Sequence, residues 1–351
     1  MPDESQDIQS LIDSGRRFHQ RGDYYRALLE YRKAFALAMA SANSGWMPLL
    51  YWLLGSEYRD CDEYHRAAEM LAAALAMLSG VEEKPEVIRL RASIRKTLAI
   101  TLEDIYGAQK PEVLQLLEEA RQEFRQLDEP GQVANVCQHI GEVYLKMKRL
   151  GQADAAFQEG LSLARQADDA QLESWILDDM AHLEMERSQY TMALELAERA
   201  REKALAVGDR TAEGDTWVTE ARVRLRMRHL EEALSAAQTA LDLYTENHNR
   251  RRSITARRAL AAVLMEMKRY EEAVGHLSKA LRTTRQLDLC QEQAHVQLAL
   301  AEVELARHNA GLAREHASEA RRLAHECGLD DLLDQADDLL RRCQEEEHRH
   351  E

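Results

Sequence analysis

Residues 140–160 read IGEVYLKMKRLGQADAAFQEG, and the small residues in this stretch decide the fold. Gly141 precedes Ala153, and Gly160 follows it, at positions where two antiparallel helices would cross. Small side chains there let the helix backbones approach closely, while the larger Phe157 fills the space between them. The stretch therefore predicts a tight helical hairpin.

The same hairpin pattern recurs along the chain. A small residue stands at a marker position, a second lies on the preceding helix, and a third follows the marker. From Ala153 to Ala313 the markers are 40 residues apart, and Val113 fills the one gap in the series. The eight marker positions are 27, 67, 113, 153, 193, 233, 273 and 313. Since one hairpin cannot bury its apolar face alone, we expect all eight to stack into a solenoid over residues 8–329.

Two of the hairpins carry a specific signature. It consists of Gly141, Tyr144, Ala153 and Phe157 in the fourth hairpin, and of Gly55, Tyr58, Ala67 and Leu71 in the second. This signature resembles that of the tetratricopeptide repeat (TPR) family, whose usual period is about 34 residues. The longer period found here resembles the repeats of kinesin light chains, spindle-orientation adaptors and some bacterial peptide-sensing regulators. The resemblance implies an all-α, right-handed superhelical solenoid. HEAT and armadillo arrays have similar periods but lack the three small residues.

The series of hairpins has one irregularity and a distinct end. Six extra residues lie between the second and third hairpins, around residues 79–85, where we expect a longer surface loop. After the eighth hairpin, residues 330–343 place apolar side chains on one helix face, which predicts a helix that caps the solenoid. We expect residues 344–351 to form a flexible charged tail.

Composition argues against several classes of protein. The formal net charge of −16 argues against broad nucleic-acid or membrane binding, which needs a positive surface. The longest apolar run, residues 46–54, is about half as long as the ~20 residues of a membrane span. The five cysteines are widely spaced and form no C-x-x-C pair, so we expect free thiols in a reducing compartment. These features favour a cytoplasmic protein.

Sequence signatures of enzymes and of metal sites are absent. The chain has no glycine-rich phosphate-binding or dinucleotide-binding motif, no nucleophile elbow and no H-E-x-x-H. Cys137 with His139, and His348 with His350, lack a second pair at the spacing of a zinc site. We therefore expect no catalytic residues, no metal and no cofactor.

The resemblance to TPR proteins implies that the first helix of each hairpin lines a concave groove. Residues at fixed offsets from the small residue of that helix are then the candidate partner-binding residues. They are Leu49, Trp52, Leu98, Leu102, Asn135, Gln138, Glu142, Trp175, Asp178, His182, Arg222, Arg226 and Arg258.

Two parts of this predicted groove differ in character. The N-terminal part is apolar, which suits the anchor residues of a partner helix or peptide, although the same side chains could simply pack between hairpins. Residues 222–258 hold nine arginines against four acidic residues, a local charge of +5. Guanidinium groups bind carboxylates and phosphates, so Arg222, Arg226 and Arg258 form a candidate anion-docking site. Residues 250–252 lie at a hairpin junction, where their arginines could instead serve solubility.

These observations favour an adaptor or scaffold that binds a peptide or helical segment of another protein in the groove. The arginines make an acidic segment of the partner the leading candidate. The alternative is a regulatory, peptide-sensing TPR subunit that controls a signalling or transcription partner. The capping helix favours a monomer, although the sequence does not fix the oligomeric state.

Overall fold

A computed structural model describes residues 3–41, 44–287 and 289–350, with side chains described for 5–41, 45–287 and 289–346. Apart from one short 3-10 helix, every regular element in these ranges is an α-helix. The helices form two compact units, Met1–Met147 and Lys148–Glu351. The predicted all-α helical-repeat fold is confirmed, whereas the superhelical hand and the domain boundaries stay predictions.

The first unit consists of helices α1–α7. Their bounds are α1 Asp3–Gln20, α2 Tyr24–Ala40, α3 Met47–Asp60, α4 Tyr64–Met77, α5 Pro85–Tyr106, α6 Pro111–Gln126 and α7 Pro130–Lys146, with the 3-10 helix at Ser44–Trp46. The pairs α1–α2, α3–α4 and α5–α6 pack as hairpins. Residues 78–84 separate α4 from α5, which confirms the longer connection that the sequence predicts here.

The second unit consists of helices α8–α17. Their bounds are α8 Leu150–Gln166, α9 Ala170–Glu186, α10 Tyr190–Val207, α11 Arg210–Arg226, α12 Leu230–Glu246, α13 Arg250–Glu266, α14 Tyr270–Gln286, α15 Cys290–Ala306, α16 Ala310–Cys327 and α17 Asp330–His350. Corresponding helices begin 40 residues apart, as the marker spacing predicts. The hairpins are α9–α10, α11–α12, α13–α14 and α15–α16, and α17 packs on α16. The two helices of the fourth predicted hairpin, α7 and α8, belong to different units.

The turn inside each of these four hairpins uses one residue with a left-handed backbone. These residues are Ser188, Arg228, Lys268 and His308, with φ between 60° and 64°. The N–H of the next residue then bonds back to the helix, as from His229 to the carbonyl of Arg224 at 2.9 Å. Such a bond satisfies a carbonyl that the helix end leaves open, so the chain reverses within a few residues.

Helix caps close the junction between α10 and α11. Gly208 ends α10 with φ of 71°, which a residue with a side chain rarely adopts. Asp209 then caps α11, because its Oδ1 accepts from the N–H groups of Thr211 at 3.1 Å and Ala212 at 3.0 Å.

Small residues lie where the helices cross. The markers Ala153, Ala193, Ala233, Ala273 and Ala313 are all fully buried. The crossing in the first hairpin is especially tight, because a Cβ on Gly15 would lie 2.3 Å from the ring of Tyr31. Since Tyr31 is itself buried, glycine is the residue that this crossing requires.

The C-terminal helix extends further than the sequence predicts. Helix α17 continues to His350, beyond the expected end at residue 343 and through most of the expected flexible tail. Two features explain the extension. Residues 344–350 contain neither glycine nor proline, and Glu346 forms a 2.8 Å hydrogen bond with the ring of His308 on the preceding hairpin.

The expectation of five free thiols is wrong for one pair. Cys290 and Cys327 form a disulfide, whereas Cys61, Cys137 and Cys343 are free. Cys290 begins α15 and Cys327 ends α16, so the hairpin brings their Cα atoms to 6.7 Å. The reducing, cytoplasmic location therefore stays a prediction. None of the described helices combines the length and the apolar character that crossing a membrane requires.

Candidate functional site

First helices of the second unit lie side by side, α9 against α11, α11 against α13 and α13 against α15. This packing brings together charged residues from three hairpins that are distant in sequence. We call five of them the charged strip: Asp178 on α9, Asp215 and Arg222 on α11, and Arg252 and Arg258 on α13. Their charges act on one another, since Asp178, Asp215, Arg252 and Arg258 all lie close enough to interact electrostatically with Arg222.

Asp178 is the most buried carboxyl group of the strip. Its side chain is 15% exposed, and its Oδ2 lies 3.9 Å from Nε2 of His182. Its Oδ1 is buried and accepts no hydrogen bond from any described residue. Burial, with the nearby carboxylate of Asp215 as the second cause, raises the pKa of Asp178 to about 7. Asp178 therefore exchanges its proton near neutral pH and has an acceptor atom to offer a ligand.

Asp215 is held in place by two neighbours. The hydroxyl of Tyr244 donates to its Oδ1 at 2.6 Å, and Nη1 of Arg252 lies 3.2 Å from the same oxygen. The ring of Tyr244 fits here because residue 214 is glycine, where a Cβ would lie 2.5 Å from the ring. Burial raises the pKa of Asp215, and the charge of Arg252 opposes that shift. Gly214 and Tyr244 thus fix the position of one carboxylate in the strip.

Arg222 and Arg258 are the two cations of the strip that have no anion in direct contact. Within the described part of the chain, Arg222 forms no hydrogen bond and no ion pair within 4.0 Å. The Nε of Arg258 is buried and likewise has no partner there. Burial lowers the pKa of both guanidinium groups, that of Arg258 to about 10, so Arg258 stays charged at neutral pH. Two such groups can bind an anion in forked geometry.

The other residues predicted in this unit lie on α9 and α11, within about one turn of the strip. Trp175 is 38% exposed and precedes Asp178. His182 follows Asp178, and its Nε2 lies 3.1 Å from the hydroxyl of Thr219. Arg226 is exposed at the end of α11. Together with Arg258 on α13, the predicted residues of this unit therefore lie on three neighbouring first helices.

The apolar residues predicted in the first unit have two different environments. Leu98 and Leu102 on α5 are 6% and 7% exposed, so little of either side chain is open to a partner. Leu49 and Trp52 on α3 are partly buried.

Leu49 and Trp52 line a cavity of about 1000 Å³ between α3 and α5. Other apolar groups in its wall include Trp46 and Leu90. The indole N–H of Trp52 donates to the hydroxyl of Thr97 at 3.2 Å, which fixes the orientation of the ring. The longer connection between α4 and α5 contributes to the wall of this cavity.

Helix α7 carries the remaining predicted residues, Asn135, Gln138 and Glu142. Asn135 accepts a hydrogen bond from Nζ of Lys96 at 2.7 Å. Burial lowers the pKa of Lys96 to about 8. Gln138 is 7% exposed, and an oxygen of Glu142 lies 3.2 Å from Nδ1 of His139. The fixed offsets did not predict Lys96, because it lies between the groove positions of its helix.

Sequence reasoning also missed Tyr244 and Arg252. Arg252 belongs to the arginine run at a hairpin junction, yet it pairs with Asp215. Tyr244 comes from a second helix, which the groove offsets do not consider. A signal for it does exist in the sequence. Gly214 stands where three other hairpins have Ile8, Ile94 and Ile254, and Tyr244 stands where four others have Ala38, Ala164, Ala204 and Ala324. A small residue facing a large one preserves the packing.

Comparisons with known proteins agree with this architecture. A family model described as a tetratricopeptide repeat matches residues 134–166. A search of curated protein sequences gives no match.

Solved structures with the same fold cover nearly the whole chain. A Rap protein complexed with Competence and Sporulation Factor has a TM-score of 0.64 and 11% identity, with 98% of each chain covered. The Rap conjugation gene regulator of plasmid pLS20, in complex with the Phr* peptide, has a TM-score of 0.63 and 13% identity, with 91% of this chain and 95% of that chain covered. The apo quorum sensor NprR from B. thuringiensis has a TM-score of 0.61 and 16% identity, covering 90% and 87%.

The family match identifies a tetratricopeptide repeat at residues 134–166, and the solved structures share the helical-repeat fold of the chain. At identities of 11% to 16% the structural likeness concerns the fold alone.

Proposed function

We propose that the chain binds a peptide or helical segment of a partner protein, and that the charged strip receives an acidic group of that segment. One observation carries the proposal. Asp178 Oδ1 and Arg258 Nε are buried polar atoms without a partner in the described chain, and Arg222 lies between them on the intervening first helix. Buried polar groups are nearly always hydrogen-bonded in folded proteins, so a ligand is the natural partner for these atoms.

A peptide supplies the two complementary groups that the strip needs. A carboxylate accepts the forked hydrogen bonds of Arg222 or Arg258, and a backbone N–H donates to Asp178. The strip contains three arginines and two aspartates, hence a formal charge of 3 − 2 = +1 when both aspartates are ionised. That local positive charge, in a chain of net charge −16, favours an acidic segment over a basic one.

The structural neighbours make a peptide ligand a reasonable choice. Two of them are complexes, one with Competence and Sporulation Factor and one with the Phr* peptide. Those ligands belong to those proteins, and the peptide ligand of this chain is our proposal. We favour a non-catalytic adaptor or scaffold in the cytoplasm. A regulatory, peptide-sensing subunit is the second candidate, because a quorum sensor shares the fold.

Affinity capture with matched charge reversals tests the proposal. Tagged wild-type chain is incubated with extract of its native cell, and bound proteins are identified by mass spectrometry. The test variant is Arg222→Glu with Arg258→Glu. The control is Arg199→Glu with Arg282→Glu, which makes the same change of charge at exposed positions on second helices.

We expect the control to capture the same partners as wild type and the test variant to lose the principal one. Each charge pair removed at a desolvated site typically costs about 2–5 kcal/mol, so the loss should be nearly complete. Equal capture by the test variant and wild type would show that the strip is not the docking site. Circular dichroism and thermal unfolding of all three proteins establish that folding is unchanged.

A further inference from the structure

Three potential metal ligands meet in the first unit, where the ends of two first helices come together. His19 lies in the last turn of α1, and Glu57 and Asp60 lie in the last turn of α3. One ligand atom from each of these residues lies within 4.8 Å of the others. Helix C-termini carry partial negative charge, which favours a cation nearby. We call these three residues the His19 cluster.

The positions of His19 and Glu57 are apolar in most of the later hairpins. From the fourth hairpin on, the residues equivalent to Glu57 are Val143, Leu183, Val223, Val263 and Val303, and from the third on, those equivalent to His19 are Ile105, Leu145, Met185, Leu225, Met265 and Leu305. The exceptions are Arg59 in the second hairpin, at the position of His19, and Glu103 in the third, at the position of Glu57. In the second unit, for example, Met265 and Val303 belong to one apolar cluster. Apolar side chains therefore suffice for this contact between hairpins, and its packing does not require a histidine and a glutamate.

Glu57 is incompletely satisfied in spite of its burial. It is 2% exposed, and its Oε1 lies 2.7 Å from Nδ1 of His19. Its Oε2 is buried and has no hydrogen-bond partner among the described residues. A buried carboxylate oxygen with no donor costs folding free energy, which a bound cation would recover.

Asp60 also keeps an oxygen available. Arg59 engages its Oδ1 at 2.9 Å, whereas its Oδ2 lies 3.8 Å from Nδ1 of His19. The side chain of His19 is 43% exposed, so solvent reaches the cluster from that side and an ion has an entry path. The cluster therefore combines a buried ligand, an accessible ligand and a third carboxylate oxygen that faces the same histidine nitrogen.

We propose that His19, Glu57 and Asp60 bind a divalent transition-metal ion, with zinc as the best match. One imidazole nitrogen and two carboxylate oxygens are ligands that zinc takes at about 2.0–2.2 Å. Small side-chain rotations convert the present separations of 2.7 Å and 3.8 Å from the histidine nitrogen into the edges of a tetrahedron around such an ion. Water completes the coordination. The ion would fasten α1 to α3 and so link the first two hairpins.

The simpler alternative is a hydrogen-bonded pair with no ion. In that case His19 and Glu57 share a proton, and the contact serves only to join the two hairpins. The two explanations differ in one measurable respect. A metal site gives saturable, one-to-one zinc binding that depends on both residues, whereas a hydrogen-bonded pair gives none.

Zinc titration of the full chain distinguishes them. Metal-free protein competes with a chromophoric chelator for added zinc, and cobalt binding is followed by its visible absorption. His19→Leu and Glu57→Val are the test variants, since each introduces the residue type that later hairpins carry at that position. Glu103→Gln is the matched control. Glu103 occupies the position of Glu57 in the third hairpin, but its carboxylate binds Lys146 at 2.7 Å. His348→Ala with His350→Ala measures binding by the C-terminal histidines.

We expect wild type, Glu103→Gln and the C-terminal variant to bind one zinc ion per chain with micromolar or tighter affinity. His19→Leu and Glu57→Val should each weaken binding at least about 100-fold. Zinc should also raise the melting temperature of wild type and leave those of the two test variants unchanged. Absence of binding, binding that His19→Leu leaves intact, or binding that only the C-terminal variant loses would each overturn the proposal. Should Glu57→Val fold poorly, Glu57→Gln and His19→Leu carry the test.

Discussion

The two units place their polar groups in opposite ways. In the first unit, the contact between His19 and Glu57 lies in the packing between hairpins, at positions that Met265 and Val303 fill with apolar side chains in the second. In the second unit the equivalent position of this contact is apolar, and a group of charged residues lies instead in a strip that spans α9, α11 and α13. Departures from the repeat therefore identify candidate sites better than any single residue does.

The comparison also separates packing from recognition. A repeat array stays folded as long as each crossing keeps its small residues and each interhairpin contact stays closed. The charged strip uses positions outside those requirements, whereas the His19 cluster occupies one of the interhairpin contacts. A polar residue placed at an apolar interhairpin position should therefore lower the stability of that unit. An apolar residue placed at a candidate site should instead weaken binding and leave stability unchanged.

The largest effect on stability is expected when a carboxylate is placed in the second unit at the position equivalent to Glu57. Val263→Glu places a carboxylate at a position that is 1% exposed and has no histidine to receive it. We expect a loss of about 3 kcal/mol or more in the free energy of unfolding, measured by urea titration. Glu57→Val, the reverse exchange, should leave stability within about 1 kcal/mol of wild type or raise it.

Val263→Leu serves as the control for this exchange, because Leu183 occupies the same position in the fifth hairpin. It should cost less than about 1.5 kcal/mol. A Val263→Glu chain as stable as Val263→Leu would contradict the view that this contact must be apolar in the second unit.

A smaller effect is expected where glycine and tyrosine compensate each other. Gly214→Ile directs its Cβ into the ring of Tyr244, which is fully buried and has no room to move. Overpacking of this kind costs typically 1–3 kcal/mol, so we expect roughly 2 kcal/mol by urea titration. The double variant Gly214→Ile with Tyr244→Ala recreates the Ile8–Ala38 pair of the first hairpin and should regain most of that loss. Failure of the rescue would show that the two positions do not compensate each other.

The smallest predicted effect is a change in how stability depends on pH. The pKa of Asp178 is about 7 in the folded chain, above the ordinary value of 3.8, so folding favours the protonated carboxyl. Its stabilising contribution is complete below about pH 4 and is lost as the pH rises through about 7. Asp178→Asn should therefore flatten the fall in the free energy of unfolding over that interval, by at most about 1.4 kcal/mol per pH unit.

The groups that face Asp178 set the direction of this shift. They are His182 on the same helix, Asp215, Thr219 and Arg222 on α11, Tyr244 on α12 and Arg252 on α13. Asp242→Asn, at an exposed position of a second helix, is the control. Parallel pH profiles for wild type and Asp178→Asn would show that this carboxyl does not titrate near neutrality.

Most of the fold was predictable because it depends on a local rule. Small residues such as Gly141 and Ala153 recur where the helices of a hairpin cross. Their 40-residue spacing alone gives the starts of α8–α17. The disulfide between Cys290 and Cys327 was not predictable from motif spacing. Cys290 begins the first helix of a hairpin and Cys327 ends the second, so the two cysteines lie close together only because these helices are antiparallel. That closeness can be inferred only once the helix bounds are known.

The candidate sites were predictable in part. Offsets along the first helices identified Asp178, Arg222 and Arg258, because all three depend only on helical periodicity. They could not identify Tyr244, whose hydroxyl reaches the strip from a second helix. The His19 cluster was missed for a different reason. Its signal is a pair of polar residues at positions that are apolar in most later hairpins, and the marker pattern follows small residues alone.

Selection of peptides tests the role of the charged strip most directly. A library of random peptides displayed on phage is selected on wild type, on Arg222→Glu with Arg258→Glu, and on the control Arg199→Glu with Arg282→Glu. We expect wild type and control to enrich the same peptides, rich in aspartate and glutamate, and the test variant to lose that enrichment. Enrichment of the same acidic peptides by all three proteins would contradict the assignment of the strip as the binding site.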